Sequence, residues 1–225
     1  MNEFYQTLYV TFKLAFFTTV ILFFIGLPIA YFLAYSNFRF KSIFEAVVSL
    51  PLVLPPTVLG FYLIILFSPD SFVGGFLENF LNLKLVFSFE GLVVASVIYS
   101  LPFMVHPLQS GFSSINRSII EAAYTLGKGK IKTLLKVILP NMKPSILTGI
   151  VLTFAHTVGE FGVVLMIGGS IPGETKVASI AIYEEVESLN YHQAHKYALV
   201  LVVITFFVLL SVYTINKKFL KADKL

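Results

Sequence analysis

Long apolar runs and short polar breaks alternate along this chain. Mostly apolar runs cover Thr7–Tyr35, Ile43–Phe67, Gly91–Phe112, Pro144–Ile167 and Tyr197–Ile215. A helix needs roughly 20 such residues to cross a bilayer, so the pattern predicts five transmembrane helices. A membrane β-barrel would show alternating segments of about ten residues, and none occur. Between the second and third runs, "SFVGGFLENFLNL" places Phe72, Phe76, Leu77, Phe80 and Leu81 at helical spacing. That spacing predicts a short helix lying in the membrane interface. Before the last run, "KVASIAIYEEVESLNYHQAHK" is also helix-like. Its acidic cluster, Glu184, Glu185 and Glu187, reads as a solvated face or as a docking surface for an external partner.

Composition fits this pattern. Of 225 residues, 57% are hydrophobic and 12% charged, against about 25% charged in soluble domains. The expected fold is all-α, a polytopic membrane protein with residues 1–225 in a single transmembrane domain. With no cysteine, disulfides, cysteine–metal sites and thiol catalysis are excluded. The net charge of +4 is read as setting orientation, with no nucleic acid involved. Arg39, Lys41, Arg117, Lys128, Lys130, Lys132, Lys136, Lys143, Lys217, Lys218, Lys221 and Lys224 fall on one side of the five runs. Lys84, Lys176 and Lys196 fall on the other, and Lys13 sits just inside the first run, where it can snorkel outward. The bias predicts an outside N-terminus and a cytoplasmic C-terminus. The opening "MNEFYQTLYV" lacks a basic n-region, so the first run is expected to remain as a span.

The third and fourth runs are joined by a basic cytoplasmic stretch. In "SIIEAAYTLG", Ser118 followed by Glu121 has the spacing of a capping box, and Gly127 supplies a left-handed stop. The helix between them, about 118–127, is too short to be stable alone and needs something to grip. It suits an ordinary capped loop helix, or a lever driven by a cytoplasmic partner. "GKGKIKT" is not a phosphate-binding loop, which needs four residues between its glycines and then Lys-Ser/Thr. No catalytic constellation is visible, so energy must come from another polypeptide.

Glu121-Ala122-Ala123, three residues, Gly127, nine residues and Val137-Ile138-Leu139-Pro140 resembles the EAA motif of ABC importer permeases, with Val137 in place of Ile as the one departure. "LPLVLPPTVLGFYL", "HTVGEFGVVLMIGGSIPGETKVASIAIYEEVE" and the five-span plan are similar to the permease subunits of molybdate-type ABC importers (the ModB family), relatives of the sulfate and tungstate permeases. Ser170 stands where that family often has Asn. The resemblance implies an ABC type I importer permease fold in a prokaryotic inner membrane. It also implies an ABC ATPase subunit gripping Glu121, Ala122, Ala123 and Gly127, and an extracytoplasmic oxyanion-binding protein that carries the selectivity. Neither a cofactor nor a metal is implied. One five-span chain is small to enclose a path, so a homodimer is expected with the pore on its two-fold axis.

Inside the runs, prolines and charges mark further candidates. Pro51, Pro55 and Pro56 interrupt the second run, and Pro102 and Pro107 the third; the carbonyls they free need partners from protein or a watery path. Pro55, Pro56 and Thr57 are expected either to line that path or simply to kink the bundle. His156 and Glu160, four apart, would share a helix face in the fourth run. An intramembrane charge is costly and usually faces a cavity. Gly159 and Gly162 would allow close helix approach. In the resembled family the GEFG helix bounds the pore and its gate, which assigns Gly159, Glu160, Phe161 and Gly162 there.

Overall fold

A computed structural model describes the backbone of residues 2–222 and the side chains through Thr214; the basic cluster Lys217, Lys218, Lys221 and Lys224 lies outside the described side chains. Every regular element among the described residues is helical. The first span, α1 (Glu3–Tyr35), has 33 residues and is roughly 50 Å long at 1.5 Å per residue. Two of its buried hydroxyls are satisfied locally: Thr11 and Thr19 each donate to the carbonyl four residues back, at 2.7 Å. A Cβ at Gly26 would lie 2.8 Å from Met104 Cγ, so that glycine lets α1 approach the third span.

The second span is not one straight helix. α2 (Lys41–Val53) and α3 (Pro56–Phe67) are bent from one another by 112°. Proline removes the backbone donor and pushes the preceding residue into extended conformation. Here Leu54 has ψ 135° and Pro55 ψ 134°, which turns the chain. After α3 comes the expected short helix, α4 (Phe72–Leu81), with Ser71 Oγ accepting from Gly74 N at 2.8 Å and left-handed Asn82 ending it. The third span is α5 (Phe89–Ser114), capped by Ser88, whose Oγ accepts from Gly91 N at 3.1 Å. Lys13 is more than a snorkel: its Nζ lies 4.1 Å from the Phe89 ring centroid.

The connection that follows contains α6 (Arg117–Thr125), α7 (Lys130–Thr133), a π-helical turn at Leu134–Ile138 and α8 (Leu139–Asn141). The chain then bends by 74° into α9 (Lys143–Gly159). The fourth span also departs from expectation. It breaks after Gly159, with Glu160 extended (ψ 133°) and Phe161 at φ −128°, ψ −64°, and resumes as α10 (Gly162–Gly168). α11 (Ala178–Glu187) and α12 (Tyr191–Ala222) complete the chain. Among the described residues, three helices are long and apolar enough to cross a membrane alone, and up to five spans result when each bent pair counts as one.

α1, α5 and α9 pack on one another at the centre, while α3 and α10 pack together against α5. Only 11% of the apolar window within Tyr191–Thr214 of α12 is buried, so most of that window is not packed inside the bundle. Among the described residues the apolar interior divides into two large clusters and a small one at Ala178, Ala181 and Tyr197. An upper one joins Leu14, Leu63, Leu92, Val163, Ile167 and Ile180; a lower one joins Leu22, Leu33, Met104, Leu108, Phe112 and Met142. In lipid such contacts act through close packing more than through escape from water.

The upper end is cross-tied by polar groups. Ala178 N donates to Thr11 Oγ1 at 2.8 Å. Thr175 Oγ1 donates to the Gly168 carbonyl at 2.7 Å and accepts from Ile171 N at 3.0 Å. Lys176 Nζ lies 2.8 Å from both Glu3 and Glu184, clamping the start of α1 to α11. Burial works against the Lys176 charge, but the bonds to Glu184 and Glu3 outweigh it and hold its pKa above the ordinary lysine value. Burial likewise opposes ionised Glu184, and the bonds from Lys176 and Ser170 prevail, leaving its carboxyl below the ordinary range.

Candidate functional site

The break at Glu160–Phe161 opens a cavity of about 550 Å³. Pro56 and Thr57 supply one wall, and Gly159, Glu160, Phe161 and Gly162 the other. Tyr99 of α5 and His156 of α9 close it between the helices. Six of the seven path residues expected from the sequence therefore meet around one space. The seventh, Pro55, does not line it; it is exposed and forms the N-cap of α3.

The two glycines at the break do different work. A Cβ at Gly162 would fall 2.8 Å from Pro56 Cβ, so this glycine sets the close approach of α10 to α3. A Cβ at Gly159 would meet nothing within 4 Å; this glycine is exposed and leaves the cavity mouth open. His156 and Glu160 do not share a helical face, because the helix has ended before Glu160. Both still border the cavity.

Glu160 is 3% exposed, and among the described residues neither carboxylate oxygen lies in hydrogen-bonding geometry with a partner. The Ser96 hydroxyl, itself buried and unpaired, is the polar group that faces it. The backbone at the break is better held: Ser179 Oγ donates to the Glu160 carbonyl, and the Phe161 ring packs on Tyr183 with centroids 5.1 Å apart. His156 Nδ1 lies 2.9 Å from Ser100 Oγ, and Ser100 Oγ lies 3.1 Å from Thr157 Oγ1. The imidazole sits between two aromatic rings, Phe103 stacked at 3.9 Å and Tyr99 tilted at 4.8 Å. The described residues contain no group of three potential metal ligands.

The α5 partners of His156 were missed in the sequence, where only the prolines of that run drew notice. Ser96 and Ser100, four apart in an apolar run, were the available signal. Tyr99 and Phe103 share the same spacing.

At the opposite end, α6 stands out from the bundle. Its N-cap is Asn116, whose Oδ1 accepts from Ser118 N at 3.1 Å. The expected capping box on Ser118 is therefore not formed, because the N-cap falls two residues earlier. Its C-terminal stop is as expected: Gly127 has φ +74°. Gly127 N donates to the Tyr124 carbonyl at 2.9 Å and Lys128 N to the Ala123 carbonyl at 3.0 Å, the paired bonds of a Schellman turn. Ala123 is buried where α6 packs beside α7 and the π-helical turn, whereas Glu121, Ala122 and Gly127 are exposed. Beside them Leu126 and Ile131 are 77% and 74% exposed, and Ile119, Tyr124 and Leu135 are also open.

Comparison with known proteins adds an independent line. The family described as binding-protein-dependent transport system inner membrane component matches residues 26–221. The molybdenum transport system permease protein ModB of Azotobacter vinelandii is 50% identical over 91% of this chain and 90% of its own length. The sulfate transport system permease protein CysT of Salmonella typhimurium is 33% identical over 86% of this chain and 70% of its own. Among solved structures, a bacterial ABC transporter involved in the import of the acidic polysaccharide alginate superposes with TM-score 0.79 at 15% identity. That match covers 97% of this chain and 80% of the other, and it shows a shared fold.

Proposed function

The chain belongs to the family of binding-protein-dependent transport system inner membrane components, and from that premise we propose that it is the membrane subunit of an ATP-driven molybdate importer. The observation that carries this reading is the exposed EAA helix, in a chain half identical to a molybdenum permease along nearly its whole length. As a permease subunit it is no enzyme, and ATP is hydrolysed by a separate ABC subunit. That subunit grips α6 through Glu121, Ala122 and the Gly127 turn, with Ala123 anchoring the helix beside α7 and the π-helical turn. An extracytoplasmic binding protein delivers the anion to the other end. The basic loops support a cytoplasmic α6 and an outside N-terminus.

Two copies, each a single transmembrane domain set in membrane lipid, enclose the path. Pro55 and Pro56 shape it, while Thr57 and the Gly159–Glu160–Phe161–Gly162 break line and gate it. ATP draws the ATPase pair and the two α6 helices together and opens the path outward; hydrolysis reverses the movement and releases the anion inside.

Uptake of molybdate into vesicles carrying permease, ATPase and binding protein, competed by tungstate and sulfate, tests the reading. Saturable ATP-dependent uptake is expected, with molybdate the strongest competitor. If sulfate competes best, the chain sides with its sulfate-permease relative. Uptake that needs no ATP would make it a channel or secondary transporter. Glu160→Gln is expected to cut uptake about tenfold or more, the equivalent of at least about 1.4 kcal/mol, while the ATPase still co-purifies.

A further inference from the structure

At the upper end a groove of about 410 Å³ opens between α1 and α5, within the roughly 300–1,000 Å³ of ligand pockets. Lys13 and Glu90 border it, and every other residue of its lining is apolar, Phe17, Phe89 and Val94 among them. Lys13 and Phe17 are four apart on α1, as Glu90 and Val94 are on α5, so each pair lies along one helical face. The Phe17 and Phe89 rings meet edge to face with centroids 6.3 Å apart. At 3.6 residues per turn, Glu90 and Val94 fall on the far side of α5 from Tyr99, which borders the Glu160 cavity. The groove therefore turns away from that cavity.

Its two charges sit where the polar boundary of a bilayer falls. α1 carries no charged residue after Lys13, and α5 none after Glu90. Lys13 to the end of α1 is roughly 33 Å at 1.5 Å per residue, close to the roughly 30 Å of hydrocarbon in a bilayer. Neither charge is spent inside the protein. Among the described residues, Lys13 and Glu90 make no ion pair and no side-chain hydrogen bond. The Phe89 ring, 4.1 Å from Lys13 Nζ, attracts the cation through its face and leaves N–H donors over. Glu90 is exposed, and Phe17 is 44% exposed.

From the membrane-spanning fold, whichever anion the chain moves, we infer that this groove binds a phospholipid whose head group carries both a phosphate and a primary ammonium. Lys13 Nζ donates to the phosphate oxygens, the Glu90 carboxylate accepts from the ammonium, and an acyl chain lies along Phe17 and Val94. Both polar contacts are charge-assisted hydrogen bonds, the strong kind. A choline head group has no N–H to give Glu90. A head group with a net negative charge would pair with Lys13 but set a second negative charge near Glu90. The pair of opposite charges over an apolar trough therefore selects a zwitterion with N–H donors.

The chain has no tryptophan, so Phe17→Trp puts its one indole in the groove. The whole transporter carrying this change is reconstituted in phosphatidylcholine vesicles, and dibrominated phosphatidylethanolamine, phosphatidylcholine or phosphatidylglycerol is mixed in as a quencher. The ethanolamine lipid is expected to quench half-maximally at about a fivefold lower membrane fraction than the choline lipid. Lys13→Met should raise the fraction of ethanolamine lipid needed about fivefold or more, and Lys13→Arg should keep it low. Glu90→Gln should bring the ethanolamine and choline lipids level. Lys84 borders a different pocket, and Lys84→Met should change nothing. Equal quenching by the ethanolamine and choline lipids before any further change overturns the inference, as does tighter binding of phosphatidylglycerol than of the ethanolamine lipid. Unchanged quenching in Lys13→Met, or an equal loss in Lys84→Met, also overturns it. If Lys13→Met fails to assemble, Glu90→Gln decides: an ethanolamine preference that survives that change removes the site. Transport is not read in this experiment, so its failure leaves the permease reading standing.

Discussion

The two ends of the bundle are built on opposite plans. At the upper end the chain ties itself together: Thr11 to the start of α11, Thr175 across its own turn, and Lys176 to two carboxylates on different elements. At the lower end α6 contributes one buried side chain, Ala123, and leaves a row of apolar groups in the open. Short helices are unstable without a packing partner, and apolar patches outside the membrane mark interaction sites. The first end keeps its contacts for itself; on the proposed reading, the second holds them for the ATPase.

The largest expected effect comes from spoiling the second plan. Leu126→Ser combined with Ile131→Ser should weaken ATPase association by about 2 kcal/mol or more, as loss of an interface hot spot does, while the thermal midpoint of the detergent-solubilised permease stays put. Co-purification and a melting curve check the two halves. Next, Thr175→Val should strip partners from the Gly168 carbonyl and the Ile171 N–H and cost about 2 kcal/mol, read as a lower melting temperature with ATPase binding intact. A reversed outcome for either pair would erase the contrast between the ends.

Smaller effects sharpen it. Lys176→Met should cost about 1 kcal/mol or less, because its carboxylate partners are partly exposed, and the loss should shrink in salt. The sign with pH follows from the two shifts. Glu184, held low, contributes above its ordinary range and loses that contribution as pH falls through its folded value. Lys176, held high, contributes below its ordinary value and loses it as pH rises through its folded one. The clamp is therefore full near neutrality and fades at both extremes, which melting curves across pH would record. Least of all, Asn116→Ala should cost about 1 kcal/mol of local α6 stability and Ser118→Ala only a few tenths, measured by amide exchange in α6.

The apolar runs made the helical architecture legible, since length and hydropathy alone license a span. The EAA order and the glycine stop of α6 were legible too. The two broken spans were not. Prolines at 55 and 56 warned of a kink, but its angle depends on how α3 settles against α10 through Gly162. The break at Glu160 carries no proline; it comes from a backbone held extended by Ser179 and by the Phe161–Tyr183 contact, both long-range. The α5 side of the cavity stayed hidden for the same reason. Ser100 and Phe103 matter only because α9 brings His156 beside them.

The carboxyl of Glu160 also bears on how the protein is made. On insertion scales an acidic residue at mid-span costs about 2.5–3.5 kcal/mol, and α10, with seven residues, adds little greasy length beyond it. Chains emerge from the ribosome N-terminus first, and α5 precedes α9 by order of synthesis. The helix that shelters this acid, Ser96 included, is thus already in the bilayer when the acid arrives. Assembly of the fourth span depends on its elder neighbour, and a chain with a damaged α5 would stall at that step before any folded transporter existed to be tested.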